Sequence, residues 1–424
     1  MLTTRRWIVP CAALGGFLPF ALGACGGGGA SSSSGHPSSP VVFAVTTSLT
    51  GQYADSGIPI LEGAKAAALE INDAGGILGQ KLQLDTVDTL ADPGDAVPAV
   101  NKELAVGHPV ALVGMKTGEI HAVEPIFDRA HIPDAWMGGD TAFTKNTDPW
   151  MWDCVALDSQ LGLAMALEAR DKGYATAATI ISYGADTQSL QDSVTQPFTA
   201  LGGKIVDSEQ ITSNQTSYLS EVQKIINAHP AVIFAQLTPS DAGVVFGNFK
   251  ELDNLGIPFI GTDQMGSPPV IQAIGPSVAK AHVISLQGST ALSGSGQEFA
   301  MYYQEANGHA PLNNSAQSYD CTIAFALAIT KAGTTDPNVW TKDMTAVTNP
   351  PGTQVSDYKT AVADIKAGMK INYEGVSGPL DFNQYHNVAG PWDVVQASGS
   401  GTNVTTLTTI TADQIQTAAK QIGS

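Results

Sequence analysis

Two stretches of this chain, about 41–138 and 175–286, alternate short apolar runs with helix-forming segments at the same tempo. Residues 41–47 are apolar and β-branched and predict a buried strand. Residues 58–74 predict a helix, because Leu61, Ala64, Ala68 and Ile71 fall on one face and Gly75-Gly76 stops it. Leu82, Leu84 and Thr86 alternate in a strand over 81–88. Asp92-Pro93 then opens a helix to about Val106, with Asp as N-cap and Pro at the first helical position. Strands at 110–114 and 132–138 flank a helix at 119–130. The second stretch places helices at 159–172, 187–201, 218–228 and 241–255 between strands at 175–183, 204–211, 231–237 and 258–261. Strands separated by helices at this spacing imply parallel sheets covered on both faces. Two similar α/β domains in tandem follow. The C-terminal part is less regular, with helices at 318–332, 356–369 and 412–422 and short strands near 392–396 and 404–408.

Open parallel sheets bind ligands in the loops at the carboxyl ends of their strands. Those loops are 48–57, 115–118, 139–147, 183–187, 238–240 and 262–267, rich in Thr, Gly, Tyr and Asp. Helices that start there offer free N–H groups, which suit a carboxylate.

The first 40 residues are of another kind. Arg5 and Arg6 precede a short apolar run at 8–20, and the small residues Gly23 and Ala24 precede Cys25. This is an export signal rather than a membrane-spanning helix. Leu22-Gly23-Ala24-Cys25 also resembles the lipobox of bacterial lipoproteins, which implies lipid on Cys25; the alternative is an ordinary cleavage site with an incidental cysteine. Glycines 26–29 and serines 31–34 have almost nothing to bury and predict a disordered tether over 25–40. The expected location is extracytoplasmic, with the protein held to the bacterial cell membrane.

Removing residues 1–40 from the 424 leaves 384, enough for two domains. The chain has 20 basic and 39 acidic residues, a net charge of −19 that reaches about −21 once Arg5 and Arg6 are cleaved off. Such a balance argues against nucleic acid and anionic lipid surfaces as partners. Cys11 leaves with the leader. Cys154 and Cys321 remain, either as one disulfide or as two buried thiols.

No enzyme constellation stands out. G-x-S-x-G, Walker A and H-E-x-x-H motifs are absent. The run GGILGQ follows a helix and reads as a turn. The eight histidines are scattered without metal spacing, and no cofactor is expected. His121 and Glu124 read as a solvated pair one helical turn apart.

Several segments, in order, resemble the type I periplasmic solute-binding proteins, the family of the branched-chain amino acid receptors of ABC transporters. SLTGQYADSGIPILEGAKAAALEINDAGGILGQKLQL is similar to that family's opening. ALVGMKTGEIHAVEPIFDRAHIP resembles its second unit, and IPFIGTDQM, SYDCTIAFALAI and EGVSGPLDFNQYHN resemble later landmarks. The resemblance covers about 41–410. It implies two Rossmann-like lobes joined by a three-crossing hinge, with ligand trapped between them: 41–156 with 286–378 as one lobe, 157–285 with 379–424 as the other.

The resemblance also implies site residues. Thr117 and Thr141, with the backbone N–H of Gly139, would hold a ligand carboxylate. Asp263 would take an ammonium group, Tyr183 would stand at the mouth of the second lobe, and Tyr53 would pack on the ligand side chain. Gln236, Leu237 and Thr238 are candidates for the opposite wall. Each has a plainer alternative: Thr117 as an N-cap, Thr141 as a turn residue, Asp263 as a helix-entry residue, Tyr183 as packing. The second loop, GMKTGE, is one residue shorter than the family's pattern and carries Lys116, which could meet a second acidic group, while Asp140 beside Thr141 pulls the other way. The expectation is a monomeric, lipid-anchored receptor that delivers a small amino acid or related carboxylate or amide to an ABC permease. The alternatives are a sensor for a membrane signalling partner and a periplasmic amide hydrolase.

Overall fold

The apolar run at Val41–Thr47 forms strand β1, and its continuation sets the pattern of the first half: α1 (Ala54–Asp73), β2 (Leu82–Asp88), α2 (Pro93–Val106), β3 (Ala111–Val113), α3 (Thr117–Ala130), β4 (Asp134–Trp136) and β5 (Met151–Asp153). There follow α4 (Asp158–Asp171), β6 (Thr176–Ser182), α5 (Thr187–Ala200), β7 (Lys204–Ile211), α6 (Leu219–Asn227), β8 (Val232–Gln236), α7 (Pro239–Glu251), β9 (Phe259–Gly261), α8 (Pro268–Ile274), α9 (Pro276–His282) and β10 (Val283–Gly288). The last third holds α10 (Gly296–Asn307), α11 (Ser315–Ala332), α12 (Pro337–Trp340), α13 (Met344–Thr348), β11 (Thr353–Val355), α14 (Tyr358–Lys366), β12 (Ile371–Gly375), β13 (Gly378–Pro379), β14 (Trp392–Ala397), β15 (Val404–Ile410) and α15 (Ala412–Ile422). This computed structural model describes residues 39–51, 53–184, 187–289 and 295–422. The expected leader, the expected lipid site Cys25 and nearly all of the expected tether lie outside the described residues.

Five parallel strands form one sheet in the order β2-β1-β3-β4-β5. A second sheet runs β15-β14-β10-β9-β8-β6-β7. It is parallel from β10 to β7, but β14 and β15 add antiparallel at its edge, which the helix–strand tempo did not indicate. A small sheet, β11-β12-β13, joins the first layer. Strands β5, β11, β12 and β13 lie outside the two regular helix–strand stretches and are not among the expected strands. Strand β10 closes the second regular stretch, α8 and α9 lie in that stretch where no element is expected, and α10, α12 and α13 lie in the C-terminal part read as less regular.

The chain passes between the two layers three times: after β5, after β10, and between β13 and β14. Strand β10 runs to Gly288, so the second crossing starts beyond the expected 285/286 boundary. Pro379 still pairs with Glu374 of β12, so the third begins after it.

Helix α11 is buried from Ser315 to Ile329 without a break, which explains its apolar run from Ile323 to Ile329. It crosses α1 closely at Gly63, where a Cβ would lie 2.0 Å from the Ser315 carbonyl oxygen. Ser318 Oγ donates to the Ile60 carbonyl at 2.8 Å in the same contact. Phe325 lies edge-on to both Phe43 of β1 and Trp340 of α12, tying the helix to the sheet. The GGILGQ run is a turn, closed by paired backbone bonds between Ile77 and Gln80. Gly76 sits there at φ +78°, where a Cβ would also meet the Gln80 carbonyl at 2.0 Å.

Three links tie this layer together, the first of them at a crossing. Cys154, just after β5, is disulfide-bonded to Cys321 of α11 with Cα atoms 6.2 Å apart. Asp320, fully buried beside it, accepts from the Val376 and Ser377 N–H groups at 2.9 and 2.7 Å and from the Tyr373 hydroxyl at 3.1 Å. Glu70 of α1 accepts from the Tyr358 N–H at 2.7 Å and from the Tyr319 hydroxyl. Burial raises the Glu70 carboxyl to about 7 and the Asp320 carboxyl to about 6 against these hydrogen bonds.

Two outcomes are expected. Replacing Cys154 and Cys321 together by alanine lowers the unfolding free energy by about 2–5 kcal/mol, read by denaturant titration, because the bond closes a very long loop. An unchanged midpoint would deny the bond a structural part. For Glu70, the folded state holds its proton above the pH where the unfolded chain has lost it. Its stabilising neutral form is intact below about pH 4.5 and is lost as pH rises toward 7, on the order of 3 kcal/mol. Glu70→Gln is therefore expected to lose less stability than the parent between pH 5 and 8. Parallel stability–pH curves for the two proteins would contradict this.

Candidate ligand-binding site

Strands β1, β3 and β4 lie side by side, so the loops leaving their carboxyl ends are neighbours. The loop after β1 is pinned by Asp88 of β2, which accepts from Leu49 N–H at 2.9 Å and Thr50 Oγ1 at 2.6 Å. Burial alone would raise the Asp88 carboxyl, but these bonds and that from Leu90 outweigh it and hold it low.

The loop after β3 is short because α3 begins at Thr117. Lys116 donates its backbone N–H to Glu119 at 3.2 Å, and Thr89 Oγ1 donates to the same carboxylate at 3.1 Å. Glu119 is buried, which raises its carboxyl despite those bonds and the charge of Lys116. Beneath it, Asp134 of β4 is fully buried; burial and the proximity of Glu119 push its carboxyl well up, toward the neutral form. Among the described residues the Lys116 ammonium forms no ion pair.

Thr117 Oγ1 accepts the backbone N–H of Gly139 at 3.3 Å. Two expected carboxylate donors are thus adjacent, one from each of two neighbouring strands. The glycines here allow close approach. A Cβ at Gly138 would lie 2.6 Å from Thr117 Oγ1, and one at Gly139 would lie 2.1 Å from an Asp158 carboxylate oxygen.

Thr141 opens a 3₁₀ turn, Thr141–Lys145. The third crossing fixes this turn: Asn387 Nδ2 donates to the carbonyls of Phe143 and Thr144, both at 3.1 Å. His386 stacks on Trp152 with centroids 4.0 Å apart, and Asp153 N–H donates to the His386 carbonyl at 2.8 Å. The loop carrying Thr141 is therefore braced by the hinge itself. Asp140 does not face a ligand freely. It caps the turn through Ala142 N–H at 2.8 Å and pairs with His121 Nε2, also at 2.8 Å. The partner of His121 is thus Asp140 rather than the expected Glu124, because the β4 loop folds over α3 and stacks Phe143 on the His121 ring.

The second lobe meets this wall at two places. Ser189 of α5 lies 2.6 Å from Thr141 Oγ1, hydroxyl to hydroxyl. Asp263, at the start of the 3₁₀ turn Asp263–Gly266 after β9, accepts from Gln264 N–H at 2.9 Å and from Asn314 Nδ2 at 3.1 Å. Asn314 precedes α11 at φ +65° and makes no side-chain cap bond. Its amide reaches across to Asp263 instead, while Asn313 beside it donates to Gln287 of β10 at 3.4 Å.

The remaining candidates are placed less closely. Tyr183 is 70% exposed at the end of β6, and Tyr53 is 41% exposed ahead of α1. Thr238 caps α7 by accepting Asp241 N–H at 3.2 Å, so its hydroxyl has a structural task. Gln236 ends β8, and Leu237 is buried in the core of the second lobe. Sequence reading missed Ser189, Asn314 and Asn387. Asn313-Asn314 before a long apolar helix was the one visible signal. Among the described residues no group of three His, Cys, Asp or Glu is placed to hold a metal ion. A surface depression of about 570 Å³ against α5 and β7 includes none of these residues.

Residues 40–402 match the periplasmic binding protein family. The amino acid binding protein of Pseudomonas aeruginosa is 26% identical over 312 residues, 72% of this chain and 82% of that protein. The leucine binding protein LivK of Thermotoga maritima has a similar structure, with a TM-score of 0.74 at 18% identity over 88% of this chain and 99% of that one. A solute binding protein of an ABC transporter from Rhodopseudomonas palustris, in complex with p-hydroxybenzoic acid, gives 0.73 at 17% identity over 90% and 100%. Both likenesses are of fold: two parallel sheets flanked by helices. With the family matched over most of its length and the two-sheet fold in place, the chain belongs to the periplasmic binding proteins of type I, the Leu/Ile/Val-binding kind, which are extracytoplasmic solute receptors and not enzymes.

Proposed function

We propose that this receptor captures a small carboxylate, an amino acid or a related acid or amide, and hands it to an ABC permease, while lipid on Cys25 tethers it to the membrane. The observation that carries this reading is the 3.3 Å pairing of Thr117 Oγ1 with Gly139 N–H, two residues before Thr141. A carboxylate entering there takes hydrogen bonds from both hydroxyls and from the backbone. Such charge-assisted bonds are about twice as strong as neutral ones. Lobe closure then follows from differential affinity, since only the closed form offers the ligand both walls. Thr141, Asp263 and Asn314 stand at the meeting of those walls; Tyr183 and Tyr53 border them, and Lys116 supplies a positive charge near the carboxylate loop. Tethering raises the effective concentration of the receptor at its transporter.

Asp263 bears on the ligand class. The relatives named above include an amino acid binding protein and a p-hydroxybenzoic acid complex. An ammonium group would bind Asp263; an aromatic acid has no use for it.

A thermal-shift panel of amino acids, amides, organic acids and aromatic acids tests the reading, because a ligand at 100 times its Kd stabilises by about 2.7 kcal/mol. At least one carboxylate is expected to raise the midpoint, and no response across the panel would sink the proposal. Thr117→Ala is expected to weaken that ligand at least tenfold in calorimetry, while Thr117→Ser retains it. Asp263→Ala is expected to abolish binding of an α-amino acid with little change in the unliganded midpoint, and to leave an aromatic acid unaffected. Wild-type amino acid affinity in Asp263→Ala would remove that residue from the site. Cys25→Ala is expected to shift the protein from the membrane fraction to the soluble one and to stop incorporation of labelled palmitate.

A further inference from the structure

The Thr141–Ser189 contact has a geometry that a simple lobe-to-lobe touch does not require. Ser189 Oγ accepts the Thr141 backbone N–H at 3.3 Å and lies 2.6 Å from Thr141 Oγ1. One oxygen therefore lies against both the N–H and the hydroxyl of Thr141, whose carbonyl accepts from Thr144 Oγ1. These are the two donors that a carboxylate oxygen of a ligand would use. The 3₁₀ turn cannot offer them elsewhere, because Asn387 fixes the Phe143 and Thr144 carbonyls and Asp140 holds Ala142 N–H.

We propose that Ser189 is an affinity-setting residue of the second lobe whose hydroxyl occupies the seat of a ligand carboxylate oxygen on Thr141. This rests on Thr141 being a carboxylate donor, as argued above. A ligand must displace the Ser189 hydroxyl before it can use that seat. Its own charge-assisted bonds to Thr141 are stronger than the neutral one they replace, so displacement remains favourable. The cost is one net hydrogen bond, which corresponds to about two- to tenfold in affinity. The residue thereby holds the two walls together while the seat is empty and keeps affinity below what the same donors could give.

The test compares Ser189→Ala and Ser189→Thr with the parent protein, using the carboxylate that gives the largest shift in the panel. Ser189→Ala is expected to bind it about two- to tenfold more tightly, and Ser189→Thr, which keeps the hydroxyl, to match the parent. Unchanged or weaker binding by Ser189→Ala overturns the proposal, since a ligand-contacting or merely structural serine gives those results. A second readout needs no ligand. In the unliganded protein, the Thr141 amide is expected to exchange its hydrogen faster in Ser189→Ala than in the parent and at the parental rate in Ser189→Thr. Equal exchange in Ser189→Ala and the parent also overturns the proposal. If no carboxylate binds the parent, the receptor reading fails on the panel, and the exchange measurement alone decides whether Ser189 covers Thr141.

Discussion

A parallel strand cannot be reached from its neighbour by a tight turn. Most strands of this chain therefore feed a helix that crosses back over the sheet, and the carboxyl ends of the strands collect at one edge. In the first sheet, that places the loops after β1, β3 and β4 next to one another. Thr117 and Gly139 are more than twenty residues apart in sequence, yet they share a hydrogen bond because β3 and β4 are adjacent. In the second sheet the same rule brings Ser182 at the end of β6 and Thr238 after β8 into one bonded group around Asp241. Burial would raise the Asp241 carboxyl, but the Tyr218, Ser182 and Asn214 donors hold it low.

Polar side chains brace the third crossing and the turn just ahead of it. Asp320 gathers the turn at 376–377, Asn387 grips the loop bearing Thr141, and Gln160 of α4 donates to the Val388 carbonyl at 3.1 Å. Crossing segments cannot complete their hydrogen bonds within a sheet, so side chains must satisfy them. Those side chains link the start of the third crossing to the ligand loop. The third crossing and the placement of Thr141 are consequently parts of one bonded structure.

The cleft itself is built from neutral hydroxyls and amides with a few charges at its margins. Thr141 meets Ser189, and Asp263 meets Asn314. The first is a neutral contact, contributing only about 0.5–1.5 kcal/mol net, and the second, to a carboxylate, about 1.5–3 kcal/mol. A stronger pairing of buried charges across the gap would oppose release.

Long, regular patterns were readable in advance. The limits of β1, β7 and α15 match the sequence reading to the residue, and α2 starts at the proline after its capping aspartate, because apolar periodicity and caps act locally. The family resemblance pointed to Thr117, Gly139, Thr141 and Asp263, which the structure has in the loops leaving β3, β4 and β9. What sequence could not supply was partnership. Thr238 as a helix cap, His121 turned to Asp140, Cys154 bonded to Cys321, and the Ser189 and Asn314 contacts all join residues from different elements. By itself the sequence determined two helix-covered parallel sheets, since burial and backbone pairing are read from neighbouring residues. Only the tertiary structure decided which polar groups face the gap and which are spent on the fold, because a hydrogen bond depends on distance and direction in space, and chain order fixes neither.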